Sequence, residues 1–357
     1  MTQPSILVMA GGTGGHIFPG LAVASYLRTC GWKVSWLGNP SGMEYRLVSA
    51  HHIPFEAVDF GGLRGKGLKT KLMLPINLFR AAVQSWKIMR RLKPNVVLGM
   101  GGYITFPGGL VSRILKHPLV LHEANSVAGS ANRVLAKIAT RTLTGFPNTM
   151  ENAEWVGNPI REVFDVLATP TVRYEQRQGR LALLVVGGSL GAAALNETIP
   201  AALALIPVES RPVVIHQAGE KHLAELQERY TSLGVQADVR AFIDDMPAAY
   251  GQADLVICRS GAMTVSELAA CGVASCLIPF PFAIDDHQTA NARFLSDAKA
   301  AILLPQNNLN PTDLALMIQH FDRAALKQMA QYAHALAKPH ATKRVAEVCA
   351  QCAGVSL

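Results

Sequence analysis

The run Gly11-Gly12-Thr13-Gly14-Gly15-His16 puts an imidazole in the mouth of a glycine loop, directly after the apolar stretch Ile6-Leu7-Val8-Met9-Ala10. Glycines let a backbone approach a ligand closely, and an imidazole of ordinary pKa ~6.5 can take a proton from an alcohol. A histidine beside such a loop equally serves packing, so residue type leaves both roles open. A second constellation follows the run Asp254-Leu255-Val256-Ile257-Cys258. There Ser260 is a natural N-cap, and the N–H groups of residues 261–264 would face an anion. Glu267, about one turn into that helix, could accept hydrogen bonds from vicinal hydroxyls such as those of a ribose. Thr264 and Glu267 also have the T-x-x-E spacing of a capping box, which needs no ligand. Asp285-Asp286-His287-Gln288-Thr289-Ala290-Asn291 adds acids and amides suited to sugar hydroxyls, or to a polar loop with a helix cap.

Elements that position such groups alternate strand and helix. Apolar runs predict strands at 5–10, 33–37, 95–99 and 118–122, each followed by a loop and a helical pattern. The first helix is expected to start at Leu21-Ala22-Val23-Ala24. Gly99-Met100-Gly101-Gly102-Tyr103 and His122-Glu123-Ala124-Asn125 would join the first glycine loop at the C-terminal strand ends, where doubly wound sheets bind ligands. A second strand series is expected at 181–186, 212–216, 237–241, 254–257 and 274–278, opening with its own glycine loop, Gly187-Gly188-Ser189-Leu190-Gly191. Trp155–Arg161, with Gly157-Asn158-Pro159, reads as a linker, and 338–357 as a last helix able to return to the first domain. The fold expected is α/β: two Rossmann-like doubly wound parallel-sheet domains facing across a cleft.

Composition bounds the function. The 357 residues are 50% hydrophobic and 16% charged, which suits two α/β domains and excludes overall disorder. No N-terminal signal pattern and no apolar run of membrane-spanning length is seen, so a cytoplasmic protein is expected. Cys258, Cys271 and Cys276 lie in apolar surroundings, and Cys349-x-x-Cys352 is one pair where a structural zinc needs two. The formal charge of +8 is unevenly placed: residues 60–150 carry 14 Lys/Arg against the single acid Glu123. An anionic membrane, a phosphate-rich substrate or nucleic acid would each attract such a half. In Gly61–Leu74 and the helix after it, Leu63, Leu68, Leu72, Met73, Leu74, Ile76 and Phe79 interleave with Arg64, Lys66, Lys69, Lys71 and Arg80, with Lys87, Arg90 and Arg91 nearby. That pattern predicts docking on an anionic membrane surface, or else an ordinary solvated face over buried leucines. Within the helix Leu78, Ala82, Trp86 and Met89 form the inward stripe.

The nicotinamide fingerprint fails at the first loop. Ile17 stands where the third glycine belongs, and no acid closes the second strand, Lys33-Val34-Ser35-Trp36-Leu37-Gly38. A dinucleotide dehydrogenase is disfavoured. Six segments in order, Gly11–Ala24, His122–Asn125, Gly157-Asn158-Pro159-Ile160-Arg161, Gly187-Gly188-Ser189, Phe242-Ile243-Asp244-Asp245-Met246 and Cys258–Glu267, together resemble the MurG family of glycosyltransferases (GT-B fold, family 28) over essentially the whole chain. The closest single match is Arg259-Ser260-Gly261-Ala262 with Thr264-Val265-Ser266-Glu267.

The resemblance implies transfer of N-acetylglucosamine (GlcNAc) from UDP-GlcNAc to the C4 hydroxyl of the MurNAc-pentapeptide of lipid I, giving lipid II with inversion. It implies an acceptor-binding, membrane-facing domain at 1–157 joined by helix 338–357, and a donor-binding domain at 158–337. It assigns His16 as base or catalytic-loop histidine, and Thr13, Gly14, Gly15 and Asn125 as groups around sugar and acceptor. Arg161 and Ser189 are implied as diphosphate contacts, and the backbone of Ile243 as a uracil contact. Ala262, Met263, Thr264, Val265, Ser266 and Glu267 would hold diphosphate and ribose, with Gln288 on GlcNAc hydroxyls. Two positions depart from the pattern: His287, where some members carry a second Gln, and Phe106, where a small residue is usual. The implied partners are UDP-GlcNAc, lipid I and the anionic surface of the inner membrane, which the protein would join peripherally from the cytoplasmic side. No cofactor, no metal and no nucleic acid are expected, and the chain has no D-x-D triplet. The rivals are a UDP-GlcNAc epimerase of similar architecture, which needs no lipid acceptor, and a nucleic-acid-binding protein, disfavoured by few aromatics in the basic half.

Overall fold

A computed structural model describes residues 3–61, 72–164, 167–188 and 191–357, with the backbone alone at 162 and 284. The chain divides into two compact units, Met1–Arg161 with His340–Leu357, and Glu162–Pro339.

The first unit is a seven-stranded sheet, β1 (Ser5–Ala10), β2 (Lys33–Gly38), β3 (Phe55–Ala57), β4 (Val96–Gly101), β5 (Leu119–Glu123), β6 (Arg141–Thr144) and β7 (Glu154–Trp155), ordered β3-β2-β1-β4-β5-β6-β7. Every pairing is parallel, with Ile6 beside Val34 on one flank and Val96 on the other. Strands buried on both faces read as continuous apolar runs, which is why β1, β4 and β5 were visible in sequence. The short β3, β6 and β7 were not. The chain order reverses direction between β1 and β4, and a crevice for ligands opens at such a switch point.

The first helix starts at Gly14, earlier than the Leu21 expected, and runs to Thr29 with Thr13 as N-cap. Three glycines (Gly14, Gly15 and Gly20) and Pro19 argue against helix by propensity alone. Packing decides otherwise: a Cβ at Gly20 would meet the Trp36 ring at 2.7 Å, so the glycine lets the helix lie close on β2. Helix Ala341–Ala353 packs on the same layer, burying Val345, Ala346, Val348, Cys349 and Ala350 with Ile17 and Leu21. Arg344 and Arg141 pair with Glu154 at 2.7 and 2.9 Å, binding that helix to β6 and β7. Residues 155–161, read in sequence as a linker, are likewise held within this unit: Asn158 is buried and donates to the Ala124 carbonyl at 3.0 Å.

The second unit is a six-stranded parallel sheet: β8 (Ala182–Val186), β9 (Val213–Gln217), β10 (Asp238–Arg240), β11 (Leu255–Cys258), β12 (Ala274–Leu277) and β13 (Ile302–Leu303), ordered β10-β9-β8-β11-β12-β13. Its core joins Leu183, Val185, Leu195, Ile199, Leu255, Ile257 and Cys276. Both sheets therefore follow the Rossmann winding.

His216 on β9 is fully buried, its Nδ1 2.9 Å from the Tyr230 hydroxyl. Burial pushes its pKa down to about 3. Folding then requires a neutral imidazole, whereas the unfolded chain binds a proton below pH ~6.5. This contribution is full above that pH and is lost as pH falls toward about 3. The loss amounts to about 2 kcal/mol by pH 5. Urea midpoints at pH 7.5 and 5.0 check it. His216→Leu is expected to flatten the acid loss by that amount, whatever its absolute stability, and an unchanged slope would refute the assignment.

Candidate active site

In the first unit, four segments converge at the C-terminal strand ends. Gly11-Gly12-Thr13 follows β1, with Gly12 at φ +88°, a conformation that favours glycine. His16 lies in the first helical turn, half-buried. Its Nδ1 sits 3.2 Å from the Gly11 carbonyl oxygen and 3.4 Å from Thr13 Oγ1. A carbonyl can only accept, so Nδ1 carries the proton and Nε2 is the basic nitrogen. The loop after β4 packs against this ring: a Cβ at Gly101 would meet His16 Cδ2 at 2.7 Å, and one at Gly102 would meet the Gly11 oxygen at 2.2 Å. Glycine at both positions, at φ +107° and +88°, makes the close approach possible. Phe106, in the helix Thr105–Ile114, is half-buried against the core.

The third segment follows β5. His122 is wholly buried and donates from Nε2 to the Gly157 carbonyl at 2.9 Å. Burial lowers its pKa, so the ring is neutral. Glu123, 3% exposed, organises the following loop. Its Oε1 accepts from the Asn125 N–H at 3.0 Å, and its Oε2 from the Gly129 N–H and Asn132 Nδ2 at 3.0 and 2.9 Å. Asn125 is thereby fixed in the same rim as Thr13, Gly14, Gly15 and His16. The fourth segment, after β2, brings Glu44 under the glycine loop, a residue that sequence reasoning passed over.

In the second unit, β11 runs into Arg259-Ser260-Gly261 and helix Ala262–Cys271. Ser260 is not the N-cap expected. Gly261 holds that place at φ −62° and ψ 148°, while Ser260 is buried and its Oγ has no hydrogen-bond partner among the described residues. The Thr264–Glu267 capping box does not form either, since the cap makes no side-chain hydrogen bond. The first intrahelical bond is Val265 N–H to the Gly261 carbonyl at 3.0 Å, so the N–H groups of Ala262, Met263 and Thr264 point out of the helix start. Ser266 returns its hydroxyl to the Ala262 carbonyl at 2.9 Å. Glu267 receives the hydroxyl of buried Tyr250 at 3.5 Å.

Gln288 accepts the Phe280 N–H on Oε1 at 2.9 Å, which leaves its amide NH2 as the donor end of the side chain. The loop before it is braced by Arg259, which donates to the Ile278 and Pro279 carbonyls at 3.1 Å each and stacks over Phe280. Asp285 and Asp286 there both adopt left-handed φ, 52° and 49°. Ile243 is buried after β10. All these residues lie at the C-terminal ends of the second sheet's strands. Arg161 is exposed at the end of the first unit. Ser189 lies outside the described residues, as do Leu63, Arg64, Lys66, Leu68, Lys69 and Lys71. Among the described residues no group of three His, Cys, Asp or Glu has the placement of a metal site.

The described helix Leu74–Leu92 buries Ala81, Ser85, Ile88 and Met89, with Leu78, Ala82 and Trp86 packed at the edge of that line. Its opposite side exposes Ile76, Phe79 and Val83 at helical spacing, Phe79 to 72%, and Leu72 is exposed just before the helix begins. Arg80 pairs with Asp59 and Arg91 with Glu56. No described helix is long and apolar enough to cross a membrane.

Residues 6–144 match the glycosyltransferase family 28 N-terminal domain, and residues 182–348 the family 28 C-terminal domain. The chain is 81% identical over its full length, and the relative's, to the UDP-N-acetylglucosamine--N-acetylmuramyl-(pentapeptide) pyrophosphoryl-undecaprenol N-acetylglucosamine transferase of Polynucleobacter asymbioticus. It is 59% identical to the protein of that name from Cupriavidus metallidurans, again covering all of both chains. The crystal structure of Acinetobacter baumannii MurG matches with a TM-score of 0.87 and 40% identity, covering 98% of this chain and 99% of that one. Two doubly wound parallel sheets, the glycine loop carrying His16 and this end-to-end likeness agree: the chain belongs to glycosyltransferase family 28, with the GT-B fold.

Proposed function

We propose that the protein transfers GlcNAc from UDP-GlcNAc to the MurNAc-pentapeptide of lipid I, forming lipid II for peptidoglycan synthesis. The observation that carries this reading is the 81% identity, over the whole of both chains, with a relative named for that transfer. The chemistry is a single inverting displacement. His16 Nε2 takes the proton of the acceptor C4 hydroxyl as its oxygen bonds the anomeric carbon. The bond from that carbon to the diphosphate breaks, and UDP leaves with the electron pair. Thr13, Gly14, Gly15 and Asn125 surround the acceptor and sugar on the first unit. Leaving-group charge is met by the N–H groups of Ala262, Met263 and Thr264, by Arg161 and by Ser189, which needs no metal. Glu267 accepts from ribose hydroxyls, the Ile243 backbone meets uracil, Val265 and Ser266 complete the helix turn under the nucleotide, and Gln288 donates to GlcNAc. UDP release by purified protein, with and without a lipid I analogue and in EDTA, tests the reading. Acceptor-dependent release that survives EDTA is expected. Release independent of acceptor would replace the transferase with an epimerase or hydrolase.

The acceptor is a lipid, and the exposed row Leu72, Ile76, Phe79 and Val83 supports peripheral docking on the anionic cytoplasmic face of the inner membrane. Flotation with vesicles containing phosphatidylglycerol is expected to carry the protein up, less so at high salt. Phe79→Ser with Ile76→Ser should reduce that at least ~10-fold. Equal binding to neutral vesicles, or none to either, would end the electrostatic docking proposal.

A further inference from the structure

Glu44 belongs to none of the roles above, yet the first glycine loop is built around it. The residue opens helix Met43–Ala50 after β2, and it is 2% exposed. Its two carboxylate oxygens are divided between two loops. Oε2 accepts the Gly12 N–H at 3.3 Å, and Oε1 accepts the Asn39 N–H at 3.0 Å. Three glycines make room for the side chain. A Cβ at Gly11 would meet Oε1 at 2.4 Å, one at Gly42 would meet Oε2 at 2.3 Å, and one at Gly38 would meet Cγ at 3.0 Å. A cavity of about 90 Å³ adjoins the carboxylate, lined by Gly11, Gly12, Tyr103 and Phe60 among others, so the loop has no packed floor of its own at that point.

We infer that Glu44 is a positioning residue for the transfer, acting on the base through the backbone of Gly11 and Gly12. The inference rests on the proposed role of His16. A buried carboxylate holding backbone N–H groups makes strong charge-assisted hydrogen bonds, and losing one leaves a buried donor unpaired. The Gly12 amide is the peptide unit that also contains the Gly11 carbonyl. That carbonyl fixes the proton on His16 Nδ1 and so makes Nε2 the base. The opposite side of the same carbonyl is bounded by Gly102, where no side chain fits. Glu44 and Gly102 thus grip one peptide plane from two sides. If Glu44 releases it, the plane turns and the Nδ1–H loses its carbonyl acceptor, which leaves only the Thr13 hydroxyl, a group that can donate as well as accept and so fixes no single tautomer.

Two measurements test this. In long-range ¹H–¹⁵N spectra of protein with ¹⁵N-histidine, His16 (assigned through His16→Gln) is expected as the Nδ1–H tautomer in the wild type. In Glu44→Gln it is expected as a mixture, because the single amide oxygen cannot accept from both Gly12 and Asn39. This readout needs no substrate, so it stands or fails apart from the assigned reaction. In the acceptor assay Glu44→Gln is expected to lower kcat roughly 10- to 100-fold with the KM for UDP-GlcNAc unchanged, since misplacing a base affects the transition state and not donor binding. Glu44→Asp, which keeps the charge but is one methylene too short to span both loops, should behave likewise and serves if Glu44→Gln does not fold. An unchanged His16 tautomer, or a kcat within ~3-fold of wild type in folded variants, would overturn the inference.

Discussion

Replacing His16 by alanine is expected to lower kcat for acceptor-dependent transfer at least ~100-fold, close to 3 kcal/mol of transition-state stabilisation, while leaving the KM for UDP-GlcNAc nearly unchanged. The size follows from what the imidazole contributes. A positioned general base is worth 10²–10⁴ in rate, and here the tautomer is set in advance by the Gly11 carbonyl, 3.2 Å from Nδ1. The split between kcat and KM follows from the assignment of most donor groups, though not Arg161, to the second unit. His16→Ala also leaves Gly101 without the ring that packs on it, so circular dichroism and an unfolding midpoint belong with the kinetics. A loss confined to KM, or a kcat within a factor of ~3, would remove His16 from the proton transfer and leave it a packing residue.

The second large effect is on stability and lies far from the chemistry. Asp254, just before β11, has its side chain 1% exposed between Arg177 (2.9 Å) and Arg323 (3.2 Å). Its Oδ2 also accepts the Ala182 N–H at the start of β8, at 2.8 Å. Both arginines reach further backbone carbonyls, Arg177 that of Ala253 and Arg323 those of Gly179 and Arg180. Asp254→Ala strands two partly buried cations and an amide, a change that costs about 3–5 kcal/mol when one partner of a buried pair is removed. For a unit of this size that corresponds to a fall of roughly 10 °C in the unfolding midpoint. A companion variant separates the causes. Asp254→Ala with Arg323→Leu removes one stranded charge and should recover part of the loss. Additive losses would mean that the ion pair carries no coupling energy.

Much of this protein was legible from sequence because parallel strands buried on both faces announce themselves as apolar runs. β1, β2, β4 and β5 fell where those runs lie, and the glycine loops marked the C-terminal strand ends. Short strands escaped, since β3, β6, β7 and β13 offer too few residues for a pattern. The helix start at Gly14 also escaped. Propensity votes against a helix with that many glycines and a proline, and only close packing on Trp36 overrides the vote. At residue 260 the sequence offered a good capping serine. The chain instead buried Ser260 and capped with Gly261, because the backbone direction out of β11 is set by the sheet and not by the side chain.

The residue types of the site, then, are a property of the sequence: His16 after its glycines, Asn125, the 262–267 helix start and Gln288 are recognisable by kind and spacing. What tertiary structure alone decided is which atom does what. The Nδ1 proton of His16 depends on a carbonyl five positions back, the loop carrying Asn125 on the buried Glu123 carboxylate, and the glycine loop on Glu44, which comes from the helix after β2. The first two are local, but residue type and spacing do not say which atom bonds which. The bond from Gly12 to Glu44 spans 32 positions and carries no period and no composition signal; it exists only once parallel strands have brought their C-terminal ends to one edge.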